Sequence, residues 1–146
     1  MTKLMGKAVL TTRKIDVATY DIDFAGVVSN IVYIRWMEDM RMAMTRAPHN
    51  LPLVSLMGED EGVAPAITKT EIRYRRPIML GDDVQCNAWI SSLTNRRITG
   101  EYEFYTNGKL AAHGKQEGCF INIKTKKFAR TPYSWIQIFE DTLVTD

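Results

Sequence analysis

Cysteine and histidine are both scarce in this 146-residue chain, with two of each, and where they stand excludes a good deal of chemistry. Cys86 and Cys119 fall in apolar, strand-like stretches, with no CxxC pair and no Cys/His spacing of the kind that ligates zinc. They read as small buried hydrophobes in a reducing compartment. His49 follows Pro48 in a loop-like stretch and His113 sits in a strand pattern; neither has a partner at metal or triad spacing. No apolar run approaches the ~18 residues of a membrane span, and Met1–Gly6 lacks the apolar stretch of a signal peptide. Neither sign of charge dominates: 19 basic residues against 17 acidic ones leave a net +2, too little for general nucleic-acid binding. The expectation is a cytoplasmic protein with no metal, no cofactor, and neither a membrane nor a nucleic-acid partner.

What is present is ordinary for a globular domain: 45% hydrophobic and 25% charged residues. A chain of this size buries about 68–70% of its unfolded surface, enough for a core without staples. One domain spanning 1–146 is expected. Residues 7–18 alternate as a strand, with Val9, Thr11, Arg13, Ile15 and Val17 on one face, continued by Thr19. The period then changes. Tyr33, Met37, Met40 and Met44 recur at helical spacing, widened by Val32, Trp36 and Ala43, so a helix is predicted over Ile31–Ala47. Ser29 or Asn30 is placed to cap it, Arg35–Asp39 to pair along it, and Pro48 to stop it. Residues 47–62 read as a loop with a short helical turn near Leu53–Met57. Strands follow from Val63 to Tyr74, from Val84 through Ile90, over 97–106 and over 109–124, with Asn107–Gly108 as a hairpin signal. A short helix over Thr131–Glu140 closes the chain. Three hairpin-type links among the last four strands predict an antiparallel α+β domain. One helix leaves part of such a sheet uncovered, which predicts a subunit interface.

The segment Tyr20–Tyr33, Y-D-I-D-F-A-G-V-V-S-N-I-V-Y, concentrates the candidate chemistry. A carboxylate and a glycine turn stand before a helix start, where unpaired N–H groups can receive developing negative charge. That equipment is sufficient to hydrolyse an activated acyl group.

The spacing of Asp23, Gly26, Tyr33, Trp36 and Arg41 within Tyr20–Arg41 resembles the signature of hot-dog-fold thioesterases of the hydroxybenzoyl-CoA thioesterase-like group. The run Ile72-Arg-Tyr-Arg-Arg-Pro-Ile-Met-Leu-Gly-Asp82 resembles that family's Tyr-x-x-Pro-x-x-x-Gly-Asp element. Together they cover about residues 7–125. The resemblance implies a hot-dog fold, a five-stranded antiparallel sheet wrapped around one long helix. It also implies a homodimer formed by sheet edges, or a dimer of dimers (homotetramer), with the active site at the subunit interface. It makes Asp23 the catalytic carboxylate and the backbone at Gly26–Val27 the group that polarises the thioester carbonyl.

The leaving thiolate belongs to a thiol of pKa ~8.5, so a dedicated general acid is not obligatory. Asp23 can then serve as general base or as nucleophile through a mixed anhydride. Asn30 is placed to hold water or the carbonyl, or else to cap the helix. Tyr33 and Met37 are candidate substrate contacts, Met37 and Met40 as walls of an acyl pocket. Thr68, Thr70 and Glu71 lie on a strand that the implied fold brings near a partner's helix start; Glu71 beside Lys69 and Arg73 reads foremost as one half of an ion pair. Arg96 and Arg97 suit the phosphates of CoA, as does the Arg73, Arg75, Arg76 cluster, unless these are only solubilising charge. The motif departs from related sequences at Ser29–Asn30, where His or Tyr often stands, so Asn30 is the second catalytic side chain this helix start can offer. The activity so implied is hydrolysis of acyl-CoA, CoA entering only as part of the substrate. The alternatives are hydrolysis of an acyl group on an acyl carrier protein, a dehydratase (disfavoured because the motif offers no histidine), or a non-catalytic acyl-binding module.

Overall fold

The computed structural model describes residues 3–52 and 62–145. Strand β1 (Leu4–Ile15) leads through a single 3-10 turn (Thr19–Asp21) to helix α1 (Val32–Met44). Strands β2 (Val63–Tyr74), β3 (Val84–Leu93), β4 (Ile98–Thr106) and β5 (Lys109–Asn122) follow, then a two-residue strand β6 (Phe128–Ala129) and helix α2 (Tyr133–Thr142). The main sheet is antiparallel in the order β1-β3-β4-β5-β2, with β6 added to β5. The hot-dog expectation is met in architecture: α1 packs Val32, Tyr33, Trp36, Met37, Met40, Ala43 and Met44 into the core at the predicted spacing. Tyr33 makes edge-on contacts with Trp36, Tyr74 and Phe104, with ring centroids 5.0 to 5.3 Å apart. Such pairs contribute about 0.5–1.5 kcal/mol each beyond their buried area.

Several local expectations are corrected. The chain from β2 to β3 is not a hairpin: β2 crosses to the far edge and pairs with β5 from Val63↔Asn122 to Tyr74↔Ala112. Of the three expected links, β3–β4 and β4–β5 are hairpins, the latter through Asn107–Gly108. Strand β1 begins and ends earlier than 7–18, and its alternation fails because Ala8 and Val9 are both buried at an irregularity in the register with β3. Helix α1 ends at Met44, before Pro48 itself, with the Thr45 hydroxyl donating back to the Met42 carbonyl. Its N-cap is Ile31, with no side-chain cap bond, so neither Ser29 nor Asn30 caps it. Arg35 lies 3.7 Å from Asp21 across the loop and not against Asp39. The expected turn near Leu53–Met57 falls outside the described residues. Cys86 and Cys119 are buried free thiols, and burial pushes the Cys86 thiol far up.

The two sheet edges differ. At β1 the pairing shifts register twice, and the C-terminal segment covers the strand: the Val9 N–H donates to Thr142 Oγ1 and the Val144 N–H to the Lys7 carbonyl. Bulges and a covering segment are the usual ways of blunting an edge. Strand β2 is 12 residues long and exposed over Ile67–Glu71. Its inner side is held tightly to β5: a Cβ at Gly118 would lie 2.6 Å from the Ala66 carbonyl oxygen, so only glycine permits that approach.

Candidate functional site

The two aspartates of the opening motif are built into different jobs. Asp21 is 4% exposed, and its Oδ2 accepts the Ala18 N–H at 2.9 Å while its carbonyl accepts the Ser29 N–H at 2.9 Å. It organises the loop, as a turn-capping residue does. Asp23 is half-buried at the start of a tight turn. Its Oδ1 accepts the Ala25 N–H at 2.8 Å, and its carbonyl accepts the Gly26 N–H at 3.0 Å. Asp23 Oδ2 makes no hydrogen bond among the described residues. Gly26 has φ +81°, which a side chain would strain, and nothing lies within 4 Å of where its Cβ would stand. The Gly26 N–H is occupied inside the turn, whereas the Val27 N–H has no partner among the described residues. Of the two donors read from the sequence, Val27 is the one available to an outside oxygen.

Backbone bonds fix where this turn sits. Val28 N–H donates to the Ile78 carbonyl, and the Tyr74 hydroxyl donates to the Asn30 carbonyl at 2.8 Å. The Asp23 turn is thereby anchored beside the C-terminal end of the open β2 edge. Large apolar side chains are exposed on the flanking segments: Phe24, Ile31, Ile34, Tyr74, Met79 and Leu80. Exposed apolar surface of this kind is a feature of interaction sites and ligand grooves.

A cavity of about 410 Å³ lies at the other end of α1, between its C-terminal half and the sheet. Met42, Met44, Leu51, Trp89, Ile98 and Trp135 make much of its wall, with Ala64, Pro65 and Ile67 of β2 along one side. Its size falls in the usual range of small-molecule sites. Asp23, Gly26, Val27 and Asn30 do not line it, so one chain does not bring its own Asp23 to its own cavity. Met37 and Met40 are packed core residues that do not line this cavity, whereas Met42 and Met44 do. Tyr33 is likewise core; burial, with Tyr74 adding to it, pushes its phenol up to about 12.

On β2, Thr68 Oγ1 donates to the Glu117 carbonyl, and Thr70 Oγ1 accepts from Gln116 Nε2 at 3.2 Å. Glu71 pairs with Lys69 at 2.9 Å on its own strand, and that ammonium holds its carboxyl below the usual range. Arg96 and Arg97 are exposed in the β3–β4 turn, immediately before Ile98 of the cavity wall. Arg73, Arg75 and Arg76 are exposed at the end of β2. His49 bonds the Leu10 carbonyl, His113 faces Glu101 at 3.3 Å, and no metal-holding group of His, Cys, Asp and Glu occurs among the described residues. The sequence reading missed Gln116, Tyr102, Trp89 and Trp135. Gln116 could have been found: it is the one polar side chain in the inward series Ala112, Gly114, Gln116, Gly118, Phe120 of β5.

The model of the thioesterase-like superfamily matches residues 17–139. The chain belongs to that superfamily. Its enzyme class is accordingly thioester hydrolase. No curated protein matches it significantly by sequence. Among solved structures it is similar to a 1,4-dihydroxy-2-naphthoyl-CoA thioesterase from Synechocystis, at 21% identity and TM-score 0.80 over 90% of this chain and 96% of that one. A predicted thioesterase from Bacillus stearothermophilus is similar at 20% identity and TM-score 0.79, covering 94% and 98%. A gentisyl-coenzyme A thioesterase is similar at 21% identity and TM-score 0.76, covering 88% and 99%. At these identities the similarity establishes the fold. Among the described residues no helix is long and apolar enough to cross a membrane.

Proposed function

We propose that this thioesterase-superfamily chain hydrolyses acyl-CoA to free acid and CoA, in a site completed by a second copy. The observation that carries this reading is the placement of Asp23, with a free carboxylate oxygen and the unengaged Val27 N–H, beside the open end of β2. Two β2 edges pairing antiparallel about a two-fold axis set the Tyr74 end of one strand against the Val63 end of the other. Asp23 lies by the Tyr74 end, and the cavity is bordered by Ala64, Pro65 and Ile67. Each Asp23 turn then faces the partner's cavity, and the exposed apolar residues around it are covered.

In that arrangement the acyl group enters the cavity of one copy and the thioester carbonyl stops at its mouth. The Val27 N–H of the other copy donates to the carbonyl oxygen as negative charge develops there; one well-placed donor of this kind contributes about 3–4 kcal/mol. Asp23 either takes a proton from the attacking water, or attacks the carbonyl carbon itself to form a mixed anhydride that water then hydrolyses to the free acid; in both routes CoA leaves as a thiolate. Gly26, with open space over its Cα, lets the substrate approach the backbone. Asn30 keeps its side chain free of helix capping and available to water or the carbonyl. That two similar structures are thioesterases of CoA esters supports CoA as the thiol carrier.

Arg96 and Arg97, at the strand start that leads into the cavity wall, are proposed to contact the nucleotide phosphates of CoA. The test is a thiol-release assay on acyl-CoA, acyl carrier protein and short thioesters lacking the nucleotide. Replacing both arginines by Glu is expected to raise KM for CoA esters about tenfold or more while leaving the short thioesters within about twofold, since each charged hydrogen bond lost costs about 1.5–3 kcal/mol. Equal effects on both substrates would remove these residues from the nucleotide site. Turnover of carrier-bound acyl groups alone would replace CoA by the carrier protein.

A further inference from the structure

The cavity is apolar over most of its wall, yet one corner holds a polar cluster that hydrolysis does not use. Gln116 is 4% exposed, and its Oε1 accepts from Arg41 Nη1 at 2.5 Å and from the Tyr102 hydroxyl at 2.9 Å. Its Nε2 donates to Thr70, which fixes the orientation of the amide. Tyr102 is 2% exposed, and burial raises its phenol, so it stays a neutral donor. Burying an amide and a phenol against a guanidinium costs stability unless every partner is in place, and here no buried side-chain N or O is left unpaired among the described residues. Aliphatic side chains would close the same corner of a purely hydrocarbon pocket at lower risk.

The outcome of this arrangement is a guanidinium held at the wall with donors to spare. Arg41 has five N–H groups, of which Gln116 takes one and Glu38 another. Glu38 is more than half exposed, and an exposed i,i+3 pair is weak enough for a ligand oxygen to compete with it. Arg41, Gln116 and Tyr102 all border the cavity, alongside Trp89, Ile98 and Trp135.

We propose that this corner reads an oxygen at the far end of the acyl group. Arg41 donates to a hydroxyl, keto or carboxylate oxygen that terminates an apolar acyl body, and Gln116 and Tyr102 are positioning residues that aim the guanidinium. The inference rests on the acyl-CoA hydrolase reading for its use of the cavity.

The test uses three CoA esters of one chain length: octanoyl, 8-hydroxyoctanoyl and the ω-carboxyl analogue. Wild type is expected to favour at least one oxygenated ester over octanoyl-CoA by about tenfold or more in kcat/KM, as a charge-assisted hydrogen bond allows. The hydroxyl and carboxylate arms separate a neutral from an anionic terminus. Arg41→Met is expected to abolish the preference while still hydrolysing octanoyl-CoA, and Arg41→Lys to keep part of it. Equal kcat/KM on all three esters in wild type, or a preference that survives Arg41→Met, would overturn the proposal while leaving the hydrolase reading intact. Should wild type hydrolyse none of them, the hydrolase reading fails, and the same esters are titrated against the fluorescence of Trp89 and Trp135. Tighter binding of an oxygenated ester that depends on Arg41 then supports the corner's role; equal binding of all three overturns it. If Arg41→Met does not fold, Arg41→Gln carries the comparison: its preference is expected to fall severalfold, and an undiminished preference overturns the proposal.

Discussion

Asp23→Asn is expected to lower kcat for acyl-CoA hydrolysis by about 10²–10⁴-fold, the usual contribution of a positioned proton acceptor. In barrier terms that is about 3–5 kcal/mol. The substitution suits the question because Asn retains an oxygen for the Ala25 N–H, so the turn itself survives. What disappears is the second carboxylate oxygen and its charge. Asp21 is the control. Asp21→Ala leaves the Ala18 N–H without its buried acceptor and is expected to cost about 1–3 kcal/mol of stability, with kcat reduced far less than by Asp23→Asn. Thiol release and denaturant titrations on both variants check the division. Equal kcat losses would remove the distinction between a catalytic and an organising aspartate.

Breaking the β2 edge is expected to have an effect as large without touching the carboxylate. Thr68 stands near the middle of the 12-residue strand, exposed, where a two-fold pairing brings equivalent residues together. Thr68→Asp places like charges opposite one another along that edge, an arrangement that disfavours strand pairing. The expected result is a halved mass by light scattering, unchanged far-UV circular dichroism, and thiol release reduced to the level of Asp23→Asn. A dimer that persists with full activity would place the subunit contact elsewhere on the surface. A monomer that retains full activity would mean that one chain carries a whole site.

The helix and most strands were legible because their periodicity is imposed by burial: the stripe of Val32, Trp36, Met37, Met40 and Met44 cannot face the core in any other conformation. The order of strands was less so. Local alternation records which face of β2 is covered, not which neighbour it pairs with, so it does not distinguish the crossover to β5 from a hairpin. Capping failed at Ser29–Asn30 because the chain enters α1 through a backbone turn, with the Val32 N–H donating to the Ser29 carbonyl, and needs no side chain there. At the candidate site, the turn of Asp23, Gly26 and Val27 is continuous in sequence, so its membership is visible in the motif. The cavity is not, since it gathers residues from α1, four strands, the Leu51 loop and α2. Methionines at 37, 40, 42 and 44 look alike in sequence; only their helical phase against the sheet decides which are packed and which line space.

The most direct measurement of the shared site is a mixed dimer, made by co-expressing two differently tagged chains and isolating the species that carries both tags. One chain bears Asp23→Asn with an intact cavity, and the other keeps Asp23 but has its cavity filled by Gly100→Phe. Neither variant alone is expected to release thiol from acyl-CoA above about a hundredth of the wild-type rate, given the loss expected for a missing base. The mixed dimer is expected to regain about half of the wild-type rate per dimer, because one Asp23 faces one open cavity across the interface. A mixed dimer as inactive as its two parents would contradict the account.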